Sequence, residues 1–215
     1  FFDNLNYAWR CKVFAFKVPR FGEIWWCYPR GSATECTHAV IFNVRENCWY
    51  DTALPGGGRT AAMYASVFRR PLLTGVDQTA TGYTLWQHEI GTDAINQSQI
   101  DPIQSYFQTP YVSMVAPPEG QPENRALSVH LLEPDFVQAG NLTVRLATKA
   151  NARAPEVWTD PQTITATAAT PQQQVTFFKT NARLLSMRFE SNTVSGDYQM
   201  GKNLIHIAPS DGKYL

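Results

Sequence analysis

His88 and Glu89, with Asp93 shortly after, are the best catalytic candidates in the chain. A carboxylate beside a histidine can tune it as a general base near neutral pH. Neighbours on a strand point to opposite faces, so one of the pair is expected to be buried or wedged against a loop. A structural hydrogen bond at a strand end is the preferred reading. A hydrolase would also need carboxylates converging on one point. Asp51, Asp77, Glu89 and Asp93 are the nearby acids, and their convergence is not readable from their order. Gly56-Gly57-Gly58-Arg59 could cradle a phosphate with backbone N–H groups and a guanidinium. A flexible hairpin end is preferred there. Trp25, Trp26, Trp49 and Trp86 could form a sugar-stacking platform. They could equally fill core positions, where flat side chains bury much area, and the core role is preferred.

The remaining reactive residues are dispersed. His38, His130 and His206 stand singly on strand-like segments and read as satisfied sheet or surface histidines. Cys11, Cys27, Cys36 and Cys48 all fall in the first quarter, with no C-x-x-C pair. Structural zinc needs close ligand pairs on turns, so neither a zinc site nor two disulfides is expected. Free strand thiols are. Gly-x-Ser-x-Gly, G-x-x-x-x-G-K-[ST] and His-Glu-x-x-His are all absent. No catalytic, cofactor-binding or metal site is expected, and the chain is not expected to be an enzyme.

The elements around these residues read as strands. Gly22–Tyr28 is aromatic and β-rich, stopped by Pro29-Arg30-Gly31-Ser32. His38–Val44 is almost wholly apolar or β-branched. Arg45-Glu46-Asn47 is a tight polar turn, and Cys48-Trp49-Tyr50 runs on into Asp51. Strand, loop, strand, tight turn, Trp-bearing strand is the rhythm of a β-propeller blade. Lys12–Val18 is a strand closed by Pro19. Thr60–Phe68 is assigned to a strand by its place after the Trp-bearing segment, against a helical propensity in Ala61-Ala62-Met63. Gly82–Glu89 and a segment around Ile103–Thr109 add two more strands.

The pattern shifts at 116–125, where Pro117, Pro118 and Pro122 mark a linker or long loop. Beyond it the alternation has a clean period of two. Leu142, Val144 and Leu146 alternate with Thr143, Arg145 and Ala147; Leu185, Met187 and Phe189 alternate with Ser186, Arg188 and Glu190. Such strands have one buried and one wet face. Leu127–Leu132, Val175–Thr180 and Leu204–Ala208 complete about five strands. The Arg and Lys residues of this half read as solvated strand faces, as do Arg69-Arg70. No window keeps a 3.6-residue period. The expected fold is all-β: propeller blades over 1–115, a linker over 116–125, and an antiparallel sandwich-like region over 126–215.

Bulk composition agrees. Of 215 residues, 44% are apolar and 13% aromatic, enough for a sizeable core. Charged residues are only 17%, with Lys+Arg and Asp+Glu balanced at 18 each. A binder that grips phosphates electrostatically needs a basic excess, so the chain as a whole is not one. No window reaches the apolar length of a transmembrane helix. The opening Phe1-Phe2-Asp3-Asn4-Leu5-Asn6-Tyr7 lacks the basic and apolar regions of a signal peptide and is expected to begin inside a longer polypeptide.

Several runs also resemble structural proteins of tailed bacteriophages. They are Glu23-Ile24-Trp25-Trp26-Cys27-Tyr28-Pro29, Ala39–Asn43, Cys48-Trp49-Tyr50, Arg59-Thr60-Ala61, Gly82-Tyr83 and His88-Glu89-x-Gly91 in the first half. Arg183–Asn192, Tyr198-Gln199-Met200-Gly201 and Leu204-x-His206-Ile207 follow in the second. Each run is short and degenerate, but in order they cover nearly the whole chain. The family is that of the tail nozzle (tail tubular) and packaged-DNA-stabilising propeller proteins of short-tailed phages. The resemblance implies the last blades of a propeller, the rest lying upstream, followed by a C-terminal sandwich. It implies a virion protein assembled in the host cytoplasm, with its cysteines reduced. It implies a homo-oligomeric ring touching portal or adaptor proteins and tail fibre or needle proteins. Contact with passing double-stranded DNA would be transient and non-specific. It carries over no catalytic residue. A carbohydrate-binding propeller or sandwich module is the alternative, distinguished by solvent exposure of Trp25 or Trp26.

Overall fold

Period-two alternation builds the first sheet. The computed structural model describes residues 2–77, 81–96, 98–113, 126–165 and 176–210. Strands β1 (Phe14–Val18), β2 (Glu23–Tyr28), β3 (His38–Asn43) and β4 (Cys48–Ala53) pair antiparallel in sequence order. The turn between β3 and β4 has a local cause. The Asn43 side-chain oxygen accepts from the backbone N–H groups of Arg45 (3.0 Å) and Glu46 (3.1 Å), and Asn47 takes a left-handed φ of 51°. Asn is among the few residues that tolerate this conformation.

A second sheet follows, of β5 (Gly57–Met63), β6 (Leu72–Asp77) and β7 (Tyr83–Gln87) in that order. The segment expected as one strand over Thr60–Phe68 is divided: β5 ends at Met63, and Ser66–Phe68 is a short 3-10 turn. Two further 3-10 turns, Phe2–Asn4 and Tyr7–Lys12, precede β1. Glycines 57 and 58, expected in a flexible hairpin end, lie inside β5. The inner faces of the two sheets share one core, in which Trp25, Ile41 and Ala39 of the first meet Leu73 and Ala62 of the second. A two-stranded ladder, β8 (Asp93–Asn96) with β9 (Gln99–Pro102), follows in the chain.

The chain divides into two compact units, Phe1–Gln99 and Ile100–Leu215. The Pro-rich stretch 116–125, read as the linker, lies outside the described residues. Strand β10 (Ser105–Gln108), grouped by sequence with the upstream strands, pairs with β17 (Leu184–Ser191) of the second unit. A local shift in composition does not reveal partners so distant in the chain.

In the second unit β10, β17, β13 (Leu142–Lys149) and β14 (Val157–Trp158) form one antiparallel sheet, with β15 (Gln162–Ile164) also on β13. A second sheet has the order β16 (Thr176–Ala182), β11 (Ala126–Glu133), β19 (Leu204–Ser210). Short strands β12 (Phe136–Ala139) and β18 (Asp197–Met200) pair with each other. The core is apolar, with Leu127, Val129 and Leu132 of one sheet among Leu142, Val144, Leu146 and Phe189 of the other. The alternation read from 142–147 is visible in burial, except that Ala147 is buried as well. Ser186 is buried on the opposite parity because its hydroxyl donates to the Thr109 carbonyl (2.6 Å). Among the described residues the fold is all-β and antiparallel, and no sheet closes on itself. No helix among them is long and apolar enough to cross a membrane.

Candidate functional site

Arg59 organises the interior of the first unit. It is 1% exposed. The register of β5 against β6 slips between Arg59 and Ala61, and this bulge lets both Arg59 and Ala62 face inward. The guanidinium lies 3.6 Å from the Trp86 ring centroid. Its Nη1 donates to the Gly57 carbonyl (2.7 Å), Nη2 to the Pro55 carbonyl (2.8 Å) and Nε to His88 Nε2 (3.2 Å). All three nitrogens are thereby satisfied without a carboxylate. Burial lowers the Arg59 pKa to about 10. Two carbonyl dipoles and an aromatic face suffice to hold this cation.

His88 lies just past the end of β7 and points into this core, where the Trp25 ring meets it edge-on at 6.2 Å between centroids. Its Nε2 lone pair is occupied by the Arg59 N–H. Burial first, and the adjacent Arg59 second, push its pKa down to about 4. Such an imidazole is a committed acceptor rather than a poised base. Glu89 follows with φ of 62°, a left-handed backbone two residues past the end of β7. Burial, and then Glu23, raise its pKa. Glu23 accepts from Trp25 Nε1 (2.9 Å) and from the Tyr50 hydroxyl. Burial, and then that bond to Glu23, raise the Tyr50 pKa.

Arg59 with His88, and Trp25 and Tyr50 with Glu23, are thus two hydrogen-bonded groups that meet at the Trp25–His88 ring contact, with Glu89 electrostatically coupled to Glu23. Sequence reasoning singled out His88, Glu89 and Trp25 and placed Arg59 in a mobile turn. It missed Glu23 and Tyr50. Asp51, one of the four nearby acids named with Asp77, Glu89 and Asp93, sits on the opposite face of the sheet. Alternation places it with Val40, its register partner, while Glu23, Trp25 and Cys27 face inward. Among the described residues, no group of three or more His, Cys, Asp or Glu could hold a metal. Cys27 and Cys36 are buried free thiols, each pushed up to about 12, chiefly by burial; Cys11 and Cys48 are exposed.

The outer face of the first sheet is the larger exposed feature. Trp49 is 62% exposed and stacks on Phe42 (4.6 Å between centroids, 29°) and on Trp26 (5.6 Å, 28°). Its register partner is Phe42, so the first stack is a direct cross-strand pair. The four tryptophans therefore split. Trp25 and Trp86 belong to the interior, Trp26 is half-buried and Trp49 faces solvent. Beside Trp49 runs a groove of about 340 Å³ lined by Val40, Tyr28 and Tyr50, with Asn4, Arg30 and Asp51 as its polar members.

One sheet face of the second unit carries a cluster of charges. Arg145 and Arg188 are register partners, and both reach Glu190 Oε1, at 2.8 Å and 2.6 Å. Arg188 covers Tyr106 at 3.9 Å, and Arg145 lies 4.7 Å from the Trp158 ring centroid. Lys149 lies over Tyr111 at 4.5 Å, and Tyr111 donates to Glu156 at 2.7 Å. These residues read as plain solvated charges in the sequence. They form instead a cation–aromatic ladder in which two carboxylates offset three cations. His206 meets Glu133 at 2.6 Å, and His38 Nδ1 meets the Thr37 hydroxyl at 3.0 Å. Comparison with protein-family models and with curated proteins finds no match to this chain.

Proposed function

We propose that the chain is a structural component of a phage tail, part of a nozzle or tail-tube-like ring around the DNA conduit. One observation carries this reading. A four-stranded antiparallel meander packs one face on a neighbouring sheet and presents an aromatic opposite face, with Trp49 at its crest. A sheet with two apolar faces is a layer in a stack, as propeller blades are. The clean alternation and apolar core of the second unit fit a sandwich following them in the chain. The sequence runs that resemble nozzle proteins point the same way. His88 and Arg59, the groups most suggestive of chemistry, are consumed by each other. The role is therefore structural, in a virion assembled in the host cytoplasm. The partners are further copies, portal or adaptor proteins, and fibre or needle proteins, with only passing contact to DNA. Gold-labelled antibody against this chain should decorate purified phage particles at the tail. Label confined to the capsid shell would refute the reading.

A carbohydrate-binding module is the second reading, favoured by one observation. Trp49 presents a ring face next to a groove that carries Asn4, Arg30 and Asp51, the pairing of aromatic surface and polar groups that sugars use. Calorimetric titration with neutral oligosaccharides decides it: saturable heat lost in Trp49→Ala supports this reading, and no heat removes it.

A further inference from the structure

The second unit has a cleft of about 230 Å³ between β14 and β16, edge strands of its two sheets. One wall comes from β13 and β14. Strand β14 is only two residues long, yet the chain beyond it stays pinned to β13. The Thr159 N–H donates to the Leu146 carbonyl (2.9 Å), and the Thr159 hydroxyl accepts from the Leu146 N–H (3.0 Å). That hydroxyl keeps its own proton to donate. The Thr148 hydroxyl donates to the Val157 carbonyl (3.1 Å) and keeps its lone pairs to accept. The facing wall is β16, whose register slips against β11. Val129 opposes Thr180 and Leu131 opposes Phe177, so Phe178 and Lys179 share the one position opposite His130. A bulge of this kind re-aims a side chain. Phe178 enters the core, while Lys179, Thr180 and Asn181 line the cleft. Among the described residues, the Lys179 ammonium and the Asn181 amide have no hydrogen-bond or ion-pair partner.

We propose that this cleft binds one residue of an acidic saccharide, a sugar ring bearing a carboxylate. The proposal rests on neither reading above: the cleft belongs to the second unit and Trp49 to the first. Charge sets the ligand class. Lys179 is the one charged residue in the described lining. The cations on the neighbouring sheet face are committed, Arg145 and Arg188 to Glu190 and Lys149 to Glu156. A lone ammonium matches a single carboxylate and repels a cation. A phosphate brings nearly two charges and three strong acceptors, which suit a guanidinium fork better. The uncharged groups fit hydroxyls. Thr159 can donate, Thr148 can accept, and Thr180 and Asn181 can do both, which is the mixed pattern a polyhydroxylated ring satisfies. Val157 and Trp158 add apolar lining for its C–H groups. The volume lies below the roughly 300–1,000 Å³ of sites for drug-sized ligands, so the cleft holds one ring. Because the cleft lies at a sheet edge and Lys179 is exposed, the rest of a saccharide chain can continue into solvent.

Calorimetric titration of the 215-residue chain tests this with four probes: the methyl glycosides of glucuronic and galacturonic acid, methyl glucoside, and inorganic phosphate. At least one uronide should give saturable heat, with a Kd on the order of 1 mM. Methyl glucoside should bind about tenfold more weakly, because it lacks the charge-assisted bond to Lys179. Lys179→Met should weaken uronide binding by a similar factor, Asn181→Ala should weaken it less, and Lys179→Arg should retain it. Lys179 is exposed and Asn181 half-buried, so neither change opens the core; far-UV circular dichroism checks folding. Trp49→Ala should bind the uronide as the wild type does. No saturable heat from either uronide overturns the proposal, as does uronide binding that is unchanged in both Lys179→Met and Asn181→Ala. Equal affinity for the glucoside removes the role of charge and overturns it too. Phosphate binding more tightly than either uronide would make the cleft a simple anion site and sink the saccharide assignment. Loss of uronide heat in Trp49→Ala would move the site to the first unit, with the same consequence.

Discussion

The two units solve the burial of a β-sheet differently. The first keeps polar groups between its sheets: Arg59 lies on Trp86, donates to His88 and sits in one interior with Cys27 and Cys36. Its outer sheet face is aromatic. The second unit reverses this. Its core cluster is aliphatic and aromatic, and Arg145, Arg188 and Glu190 occupy the other face of the sheet that supplies it. A face covered by side-chain ion pairs and cation–aromatic contacts is finished as a surface. A face covered by an exposed tryptophan is not. On the ring reading proposed above, the contrast points to the first unit's outer sheet face as a contact surface.

The largest effect should come from the polar interior. Arg59→Ala removes three hydrogen bonds and the ring contact, and leaves the Pro55 and Gly57 carbonyls and His88 Nε2 without this donor. We expect a loss of about 4 kcal/mol, judged from large-to-small core changes and unsatisfied polar groups. Denaturant unfolding followed by tryptophan fluorescence checks it. A loss below about 1 kcal/mol, the scale of a surface substitution, would mean that water replaces the guanidinium at no penalty and would remove the contrast between the two interiors.

Leu146→Ala probes the apolar interior. Leu146 is wholly buried, and its truncation should destabilise by about 3 kcal/mol. The same unfolding experiment reads it. Unlike Arg59→Ala, its effect should be independent of pH from 4 to 7, since no titrating group lines the cavity it leaves.

The pH response sharpens the comparison further. His88 is held down to about 4 in the folded protein, against an ordinary value of 6.5. Between those values the unfolded chain binds the proton and the folded chain does not. Stability from this group is therefore complete above about pH 6.5 and is lost as the pH falls towards 4. With an allowance for partial solvent access, the loss is on the order of 2 kcal/mol. Glu89, whose carboxyl is raised, acts with the opposite sign: its contribution is present below its ordinary value and is lost as the pH rises. The difference between the wild type and His88→Gln isolates the histidine. That difference should shrink as the pH is lowered, and a constant difference would contradict the placement of His88.

Burial and fold class were legible where one face alone is wet. Leu142, Val144 and Leu146 announced their strand because Thr143 and Arg145 face the other way. The core role read for all four tryptophans holds for Trp25 and Trp86 but not for Trp49, because which neighbour on a strand faces inward depends on the sheet of β5–β7 later in the chain. Arg59 was the hardest residue to place. Three glycines before it suggest freedom, but the bulge at Thr60 turns it inward, and bulges leave no composition signal. Four-residue strands such as β12 and β18 are too short to show a period. The partnership of β10 with β17 spans most of the second unit, and no local pattern encodes it.

Thiol chemistry gives the smallest effect, one of rate alone. All four cysteines should titrate as free thiols in denaturant. In the native protein Cys11 and Cys48 should react promptly, whereas Cys27 and Cys36 should be slow, because burial holds both thiols protonated. Fewer than four thiols under non-reducing, denaturing conditions would point to an oxidising compartment and against assembly in a host cytoplasm.

Cryo-EM of the assembled particle tests the central claim most directly. The account predicts density for this chain in repeated copies around the tail axis, with the Trp49 face covered by another sheet. Density placing it as a lone fibre tip or a capsid decoration, with Trp49 facing solvent, would contradict the account.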